Sequence, residues 1–545
     1  MGTVITAFTA EDVRNAEEPV LARERGFSGG LMHRAATALA TAARRDLRRG
    51  AGRVAGTTVV GLIGPGNNGG DTLHALAALA RQGVDAVAIT TSAAVHDAGR
   101  AALESAGGRM LGVVDGAPGR AVGLDEAVVA CMGADVVLDG LLGLGGRGGL
   151  RGAAAELVTA LSDARSGTRP RVIAVDVPSG IGVDDGTVPG PVLRADRTLT
   201  FGVAKPGLLL PPAAAEAGSI TVVDLGLDQV LTEQQRVPAV RRLAAPDVAE
   251  LWPVPGAGDH KYSRGVVGVV AGSAAYPGAA VLTVGGAIGA GCGMVRHVGA
   301  EAVRHTVLAA HPEVVTGATT DVRVQSWVVG PGIGDDDEQS GRAGAALAHA
   351  IVARVPVVVD AGSLEGLPEH CGPLVVLTPH AGELSGLLAA RGITADRAEI
   401  EAAPLRWARE AAERTGATVL LKGHTTVVVG HGEQGAVVLA QRDAPAWLAT
   451  AGAGDVLAGV LGALLAGRAD DVRTRPELVA HLAAAAALVC GAAADSANPG
   501  GPISAGMVTR SLPSVIGNLL AGDHPRVAGR GHIGVHRAAR RVVRT

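Results

Sequence analysis

The sequence predicts a soluble α/β protein of two domains, on three observations. Its 545 residues exceed what one hydrophobic core organises. Its composition is 48% hydrophobic, 18% charged and 2% aromatic, with 80 glycines. That suits Ala/Val/Gly-rich layers rather than an aromatic-rich β-sandwich or a disordered chain. Finally, short Val/Ile-rich runs alternate with helical periodicity in both halves, a pattern that folds as a parallel sheet covered by helices on both faces.

In the first half, residues 57–63 read as a buried strand and 71–82 as a helix, with a tight loop between them. Further strands are expected at 85–90, 135–142, 171–177 and 197–201. The pattern fades after Ile220-Thr221-Val222-Val223, and the charged, proline-bearing stretch beyond it places a linker at 226–240. A second series runs through 265–271, 326–329, 356–360, 374–377 and 418–422, and closes with helices from Gly454 and Glu477. The expected domains are therefore 1–225 and 241–525, followed by a flexible basic tail at 526–545.

A net charge of −4 with both signs interspersed predicts no attraction to nucleic acid or to an anionic membrane. Cys131, Cys292, Cys371 and Cys490 form no Cys-x-x-Cys pair, which disfavours zinc and disulfides and fits a reducing cytoplasm. The first residues lack a secretory pattern. The longest apolar run, 482–494, falls short of the roughly 18 to 20 residues that span a bilayer. The expected partners are small molecules, with no nucleic acid and no membrane, and a homo-oligomer is left open.

Two glycine-bounded acidic loops carry the chemistry. With this much glycine, Gly-x-Gly-x-x-Gly arises by chance about 1.7 times, and it occurs from Gly64, Gly143, Gly430 and Gly529, so only context gives it meaning. Gly64-Pro65-Gly66-Asn67-Asn68-Gly69-Gly70-Asp71 leaves a strand and opens a helix, where free N–H groups and the helix dipole favour a phosphate. It lacks the Gly-Lys-Ser/Thr of a Walker loop, and no acidic residue ends the next strand at Ile89-Thr90-Thr91 to bind a ribose. The same residues also suit an Asn-Gly turn capped by Asp71. Asp139, the loop 143–149 and Asp176-Val177-Pro178-Ser179-Gly180 converge with it at the carboxyl edge of an open sheet, where ligands bind.

These residues, with Lys205-Pro206-Gly207, resemble the NAD(P)H-hydrate epimerase domain over roughly residues 1–225, which implies a Rossmann-like three-layer α/β/α fold. The resemblance implies that Asn67, Asn68, Gly69, Gly70 and Asp71, with the loop Gly143, Leu144, Gly145, Gly146, Arg147, Gly148 and Gly149, bind the nucleotide substrate. It implies potassium at Asn68, Asp139 and Ser179, and a substrate-contacting, catalytic carboxylate at Asp176. Lys205 suits either an electrostatic or a purely structural role. The chain departs from the family at Thr72, Leu144 and His33, where glycine, threonine and an acidic residue are usual.

In the second half, Thr450-Ala451-Gly452-Ala453-Gly454-Asp455 resembles the anion-hole loop of ribokinase-like proteins. Small residues let backbone N–H groups approach a transferring phosphate while Asp455 takes a proton from a hydroxyl. With Gly330-Pro331-Gly332-Ile333-Gly334, Asp360-Ala361-Gly362, Thr378-Pro379-His380-Ala381-Gly382-Glu383 and Lys422-Gly423-His424-Thr425-Thr426, it resembles the ADP-dependent NAD(P)H-hydrate dehydratase domain across about 245–520. The resemblance implies a ribokinase-like α/β fold, with substrate at Ala279, Gly332, His380 and Asp455. It also implies ADP at Lys422, Gly423, His424, Thr425, Thr426 and Gly454, and Mg²⁺ organised near Glu383. His380 suits a satisfied loop histidine equally well, and Ser385-Gly386-Leu387 departs from the usual arginine-containing continuation.

The implied activity is repair of hydrated NADH and NADPH: the first domain interconverts the R and S hydrates, and the second dehydrates the S form at the expense of ADP. The alternative is a ribokinase-like kinase for a vitamin precursor or sugar, with a non-catalytic nucleotide-binding module before it.

Overall fold

The computed structural model describes residues 4–24, 26–146, 148–165, 170–442, 444–522 and the backbone of 534–536. The chain divides into two compact units, one of residues 6–239 and 530–545, the other of 1–5 and 240–529.

The first unit is built on an all-parallel sheet. Its order is Gly534–His536, Ser219–Val223, Arg197–Phe201, Arg171–Val175, Val136–Gly140, Thr58–Ile63, Asp85–Thr90, Arg109–Gly112 and Arg120–Ala121. Alternate residues of one strand enter two separate cores. Val59 and Ile63 pack with the helices Leu31–Ala51 and Asn67–Ala80. Val60 and Leu62 pack with Leu124–Met132 and Gly152–Ala164 on the other face. The period-2 alternation of strand side chains thus makes the three layers. Segment 226–240, expected as a linker, carries the helix Leu227–Glu233, whose Leu227 and Leu231 are buried in the first of these cores. Within the expected tail, Gly534–His536 pairs with Ser219–Val223, and the remainder of 526–545 lies outside the described residues.

In the second unit the strand order from Val240–Arg242 is Val437–Gln441, Thr426–Gly430, Thr418–Leu421, Val375–Leu377, Val357–Val359, Ser326–Val329, Val266–Val270, Met294–Val298 and Val315–Gly317. Every pairing is parallel except the two around Thr426–Gly430. The helices Ala453–Gly467 and Leu478–Ala497 fill its main core. Among the described residues Leu478–Ala497 is one helix long and apolar enough to cross a membrane, a correction to the shorter run read from sequence. However, 78% of its apolar window is buried inside the unit, as in the core helix of a globular domain.

Candidate active sites

The first centre forms where the parallel strands end. The helix expected at Asp71 begins four residues earlier, at Asn67, after Gly66, and no side chain caps it. Its leading N–H groups are left for a ligand. The glycines are dictated by close packing: a Cβ on Gly69 would sit 2.2 Å from the Gly64 carbonyl oxygen, and one on Gly70 2.8 Å from the His96 ring.

Asn68, Asp139 and Ser179 come together. Ser179 donates through N to Asp139 Oδ2 at 2.8 Å and through Oγ to Oδ1 at 2.6 Å. Leu142 O receives Asn68 Nδ2 at 3.1 Å and Ser179 Oγ at 3.3 Å. Burial pushes the fully enclosed Asp139 carboxyl up, although the Ser179 hydrogen bonds pull it down. No ion pair is found for it among the described residues. A buried carboxyl ringed by amide, hydroxyl and carbonyl oxygens fits a hard monovalent cation. Gly143 lies against Asn68, its Cβ position 3.2 Å from the Asn68 side chain, whereas Gly149 abuts Gly190 instead. Arg147 lies outside the described residues.

Asp176 is held at φ 66, a left-handed conformation that a non-glycine residue adopts at a cost. Its Oδ1 accepts from Thr200 Oγ1 and Phe201 N, each at 3.1 Å, and is paired with the Lys205 ammonium. Lys205 is 1% exposed and also donates to Thr200 Oγ1 at 3.0 Å and Phe201 O at 2.9 Å. It is therefore the buried counter-charge of Asp176 rather than a surface loop residue. Asp71 joins the group: burial, and then the charges of Asp176 and Glu17, hold its carboxyl well above the usual range, and its Oδ1 is buried without a partner. Glu17 was missed in the sequence. Burial raises its pKa, with Lys205 opposing and Asp176 reinforcing.

The second centre opens at Gly452, whose φ of 85 starts the helix Ala453–Gly467 without a side-chain cap. Lys422 Nζ lies 2.8 Å from Asp360 Oδ1 and 3.4 Å from Glu383 Oε2. Thr378 Oγ1 donates to the same Asp360 oxygen at 2.8 Å. A Cβ on Gly454 would lie 3.4 Å from Lys422 Nζ and 3.8 Å from Asp360 Oδ2, so the loop rides directly on this pair. Burial, then Asp360 and Glu383 against the pull of Lys422, raise Asp455 to about 7. Burial lowers Lys422, yet the two carboxylates outweigh it and leave it raised.

His380 caps the helix Ala381–Ala389: its Nδ1 accepts from Glu383 N at 3.1 Å, while its own N donates to Glu383 Oε2 at 2.8 Å. Its Nε2 faces Glu383 Oε1 at 3.6 Å. Lys422 N donates to Pro379 O at 2.8 Å, which sets His380 and Lys422 side by side. Gly332, at φ 64, touches Ala279, the Cβ positions 2.3 Å apart. Gly423 and the buried Thr425 follow Lys422 in the turn before the strand Thr426–Gly430, while His424 receives Arg442 Nε at 3.4 Å. Asp360, visible as the strand-end Asp-Ala-Gly but given no role from sequence, is central. Among the described residues no three His, Cys, Asp or Glu side chains form a metal cage. The hard oxygens of Asp360, Glu383 and Asp455 suit Mg²⁺ held through water and substrate phosphates.

Two separate α/β units, each with an uncapped helix start beside a buried carboxyl and lysine group, define a two-centre enzyme of nucleotide chemistry. Residues 267–514 match the family model described as NAD(P)H-hydrate dehydratase, and residues 28–207 match the YjeF-related protein N-terminus. The chain is 40% identical over 469 residues to the bifunctional NAD(P)H-hydrate repair enzyme Nnr of Mycobacterium tuberculosis, covering 84% of this chain and 89% of that one. It is 42% identical over 234 residues to the NAD(P)H-hydrate epimerase of Clavibacter sepedonicus, covering 42% and 93%. A crystal structure of ADP/ATP-dependent NAD(P)H-hydrate dehydratase from Bacillus subtilis, 25% identical, aligns with 51% of this chain and 97% of its own at a TM-score of 0.43. The chain belongs to the family of bifunctional NAD(P)H-hydrate repair enzymes.

Proposed function

We propose that the two units divide the repair of hydrated NADH and NADPH in the cytoplasm: the first interconverts the R and S hydrates, and the second removes water from the S form with ADP as co-substrate. The observation that carries the reading is Asp455, poised at about 7 at the start of an uncapped helix and backed by Lys422. A base titrating near neutrality takes a proton in the transition state and gives it up afterwards.

Asp455 removes the proton of the substrate hydroxyl, and the N–H groups from Gly454 onward face the negative charge that develops on phosphate. Lys422, fixed by Asp360 and Glu383, adds a positive charge there. The oxygen takes the terminal phosphoryl group of ADP as the bond to AMP breaks, and the phosphate ester so formed is a better leaving group than hydroxide, departing as inorganic phosphate while the neighbouring ring carbon gives up a proton to restore the double bond. Mg²⁺, when bound near Glu383, supplies further charge neutralisation on the phosphates. In the first unit Asp176 exchanges protons at the hydrated ring, Lys205 pairs with its carboxylate and orients it, and the Asn67–Asp71 turn holds the phosphates. Potassium at Asn68, Asp139 and Ser179 would supply the counter-charge that the buried Asp139 lacks.

The test is recovery of NADH absorbance from a mixture of both NADH-hydrate epimers with K⁺, Mg²⁺ and either ADP or ATP. Complete recovery with ADP supports both activities. A plateau with one epimer left removes the epimerase, and no recovery with either nucleotide favours the small-molecule kinase.

A further inference from the structure

In a chain with only 2% aromatic residues, the first unit gathers four rings beside the Asn67–Asp71 turn. Phe27 stacks on His74 with centroids 4.1 Å apart and planes at 30°, and meets His33 edge-on at 5.2 Å. His74 in turn meets His96 edge-on at 5.8 Å. The cluster starts where the phosphate turn ends, because the His96 ring fills the space in front of Gly70. Phe27 is 44% exposed, so a ring held between it and solvent has a face to stack on. His74 Nε2 is buried without a partner, and burial, followed by His96, Arg81 and His33, lowers the ring to about 4, so the ring stacked on Phe27 stays neutral.

The strand order Arg197–Phe201, Arg171–Val175, Val136–Gly140, Thr58–Ile63, Asp85–Thr90 sets Lys205, Asp176, Asp139, the Asn67–Asp71 turn and segment 91–96 in sequence along one carboxyl edge. Adjacent strands stand ~4.8 Å apart, so three steps separate Asp176 from the His96 segment by roughly 14 Å. A hydrated nicotinamide dinucleotide presents a reacting ring, a pyrophosphate and an adenine, in that order. With the reacting ring at Asp176 and the pyrophosphate on the helix start, the adenine falls on the side of Phe27.

We propose that Phe27, with His74 stacked beneath it, is the adenine subsite of the epimerase centre, a platform on which the far ring of the dinucleotide stacks. This rests on the epimerase reading above. The full chain and its Phe27→Ala and Phe27→Trp variants are assayed for epimer interconversion on hydrated NADH and on hydrated reduced nicotinamide mononucleotide, which has no adenine. ADP-dependent dehydration by the same preparations reports that each chain is folded. Phe27→Ala raises KM for hydrated NADH roughly tenfold, as expected for the loss of one stacked base. It leaves kcat and the mononucleotide KM unchanged, and Phe27→Trp restores binding. Equal losses on both substrates, or no change on hydrated NADH, overturn the subsite. If the wild-type chain interconverts neither substrate, it is the epimerase reading that fails.

Discussion

Replacing Asp360 by Asn removes one negative charge from the neighbourhood of Asp455 and at the same time releases Lys422 from its 2.8 Å ion pair. Both changes favour the ionised form of Asp455, so their effects add in sign. A unit charge taken at roughly 8 Å in an effective permittivity of ~20 is worth ~2 kcal/mol, or about 1.5 pKa units. Burial, the largest cause of the raised value, is untouched, so the base stays above its ordinary 3.8. The acid limb of kcat/KM for dehydration should therefore have its midpoint near 7 in the wild type and about one to two units lower in Asp360→Asn. At pH 6 the wild type retains roughly one tenth of its limiting rate constant, whereas the variant retains half or more of its own. Rates across pH 5 to 9 with saturating ADP and Mg²⁺ measure both midpoints. A limb that stays near 7, or moves upward, refutes the assignment of Asp455 as the titrating base tuned by Asp360.

Asp455→Asn should cost 10²- to 10⁴-fold in dehydration while leaving epimerisation intact. It should also stabilise the second unit. Because the folded pKa stands about 3 units above 3.8, stability falls as pH rises from about 4 to about 7, and the ~4 kcal/mol cost is fully present only above 7. Thermal melts of the full chain should show the variant's advantage growing from about a third of its full size at pH 5 to all of it at pH 8. Lys205→Met leaves buried carboxylates without their cation and should destabilise the first unit by ~3–5 kcal/mol, with much of the loss recovered in the Asp176→Asn/Lys205→Met double variant; a melt in which the two variants match would count against a buried pair. Gly69→Ala drives a methyl into the Gly64 carbonyl and should abolish epimerisation but not dehydration, read as a plateau in NADH recovery.

The strands were legible because they are short runs of Val, Ile and Leu buried on both sides, and their ends carry the glycine loops and carboxylates that a parallel sheet brings to one edge. Local pattern failed where tertiary packing decides. The helix at Asn67 was read as starting at Asp71 because Gly69 and Gly70 are poor helix formers, yet close approach to Gly64 and His96 requires them. The strands Thr426–Gly430 and Val437–Gln441 flank a glycine-bearing turn, a hairpin signal overlooked against the surrounding parallel series. Glu17 lies in the helix Ala10–Leu21, far in sequence from Asp71, Asp176 and Lys205, and nothing local marks it as part of that centre.

The two centres share a charge arrangement that no single motif contains. In one, Lys205 stands among Glu17, Asp71 and Asp176; in the other, Lys422 stands among Asp360, Glu383 and Asp455. Three carboxyls against one ammonium would carry a formal charge of −2 in a largely dehydrated space, which burial penalises steeply. Each centre answers this by making carboxyls harder to ionise: Asp71 and Glu17 are raised in the first, and Asp455 is raised to about 7 in the second. A raised carboxyl beside an ion-paired one is the pairing that lets a single site both give and take protons. A cation arriving with the substrate or beside it would offset the negative charge that remains.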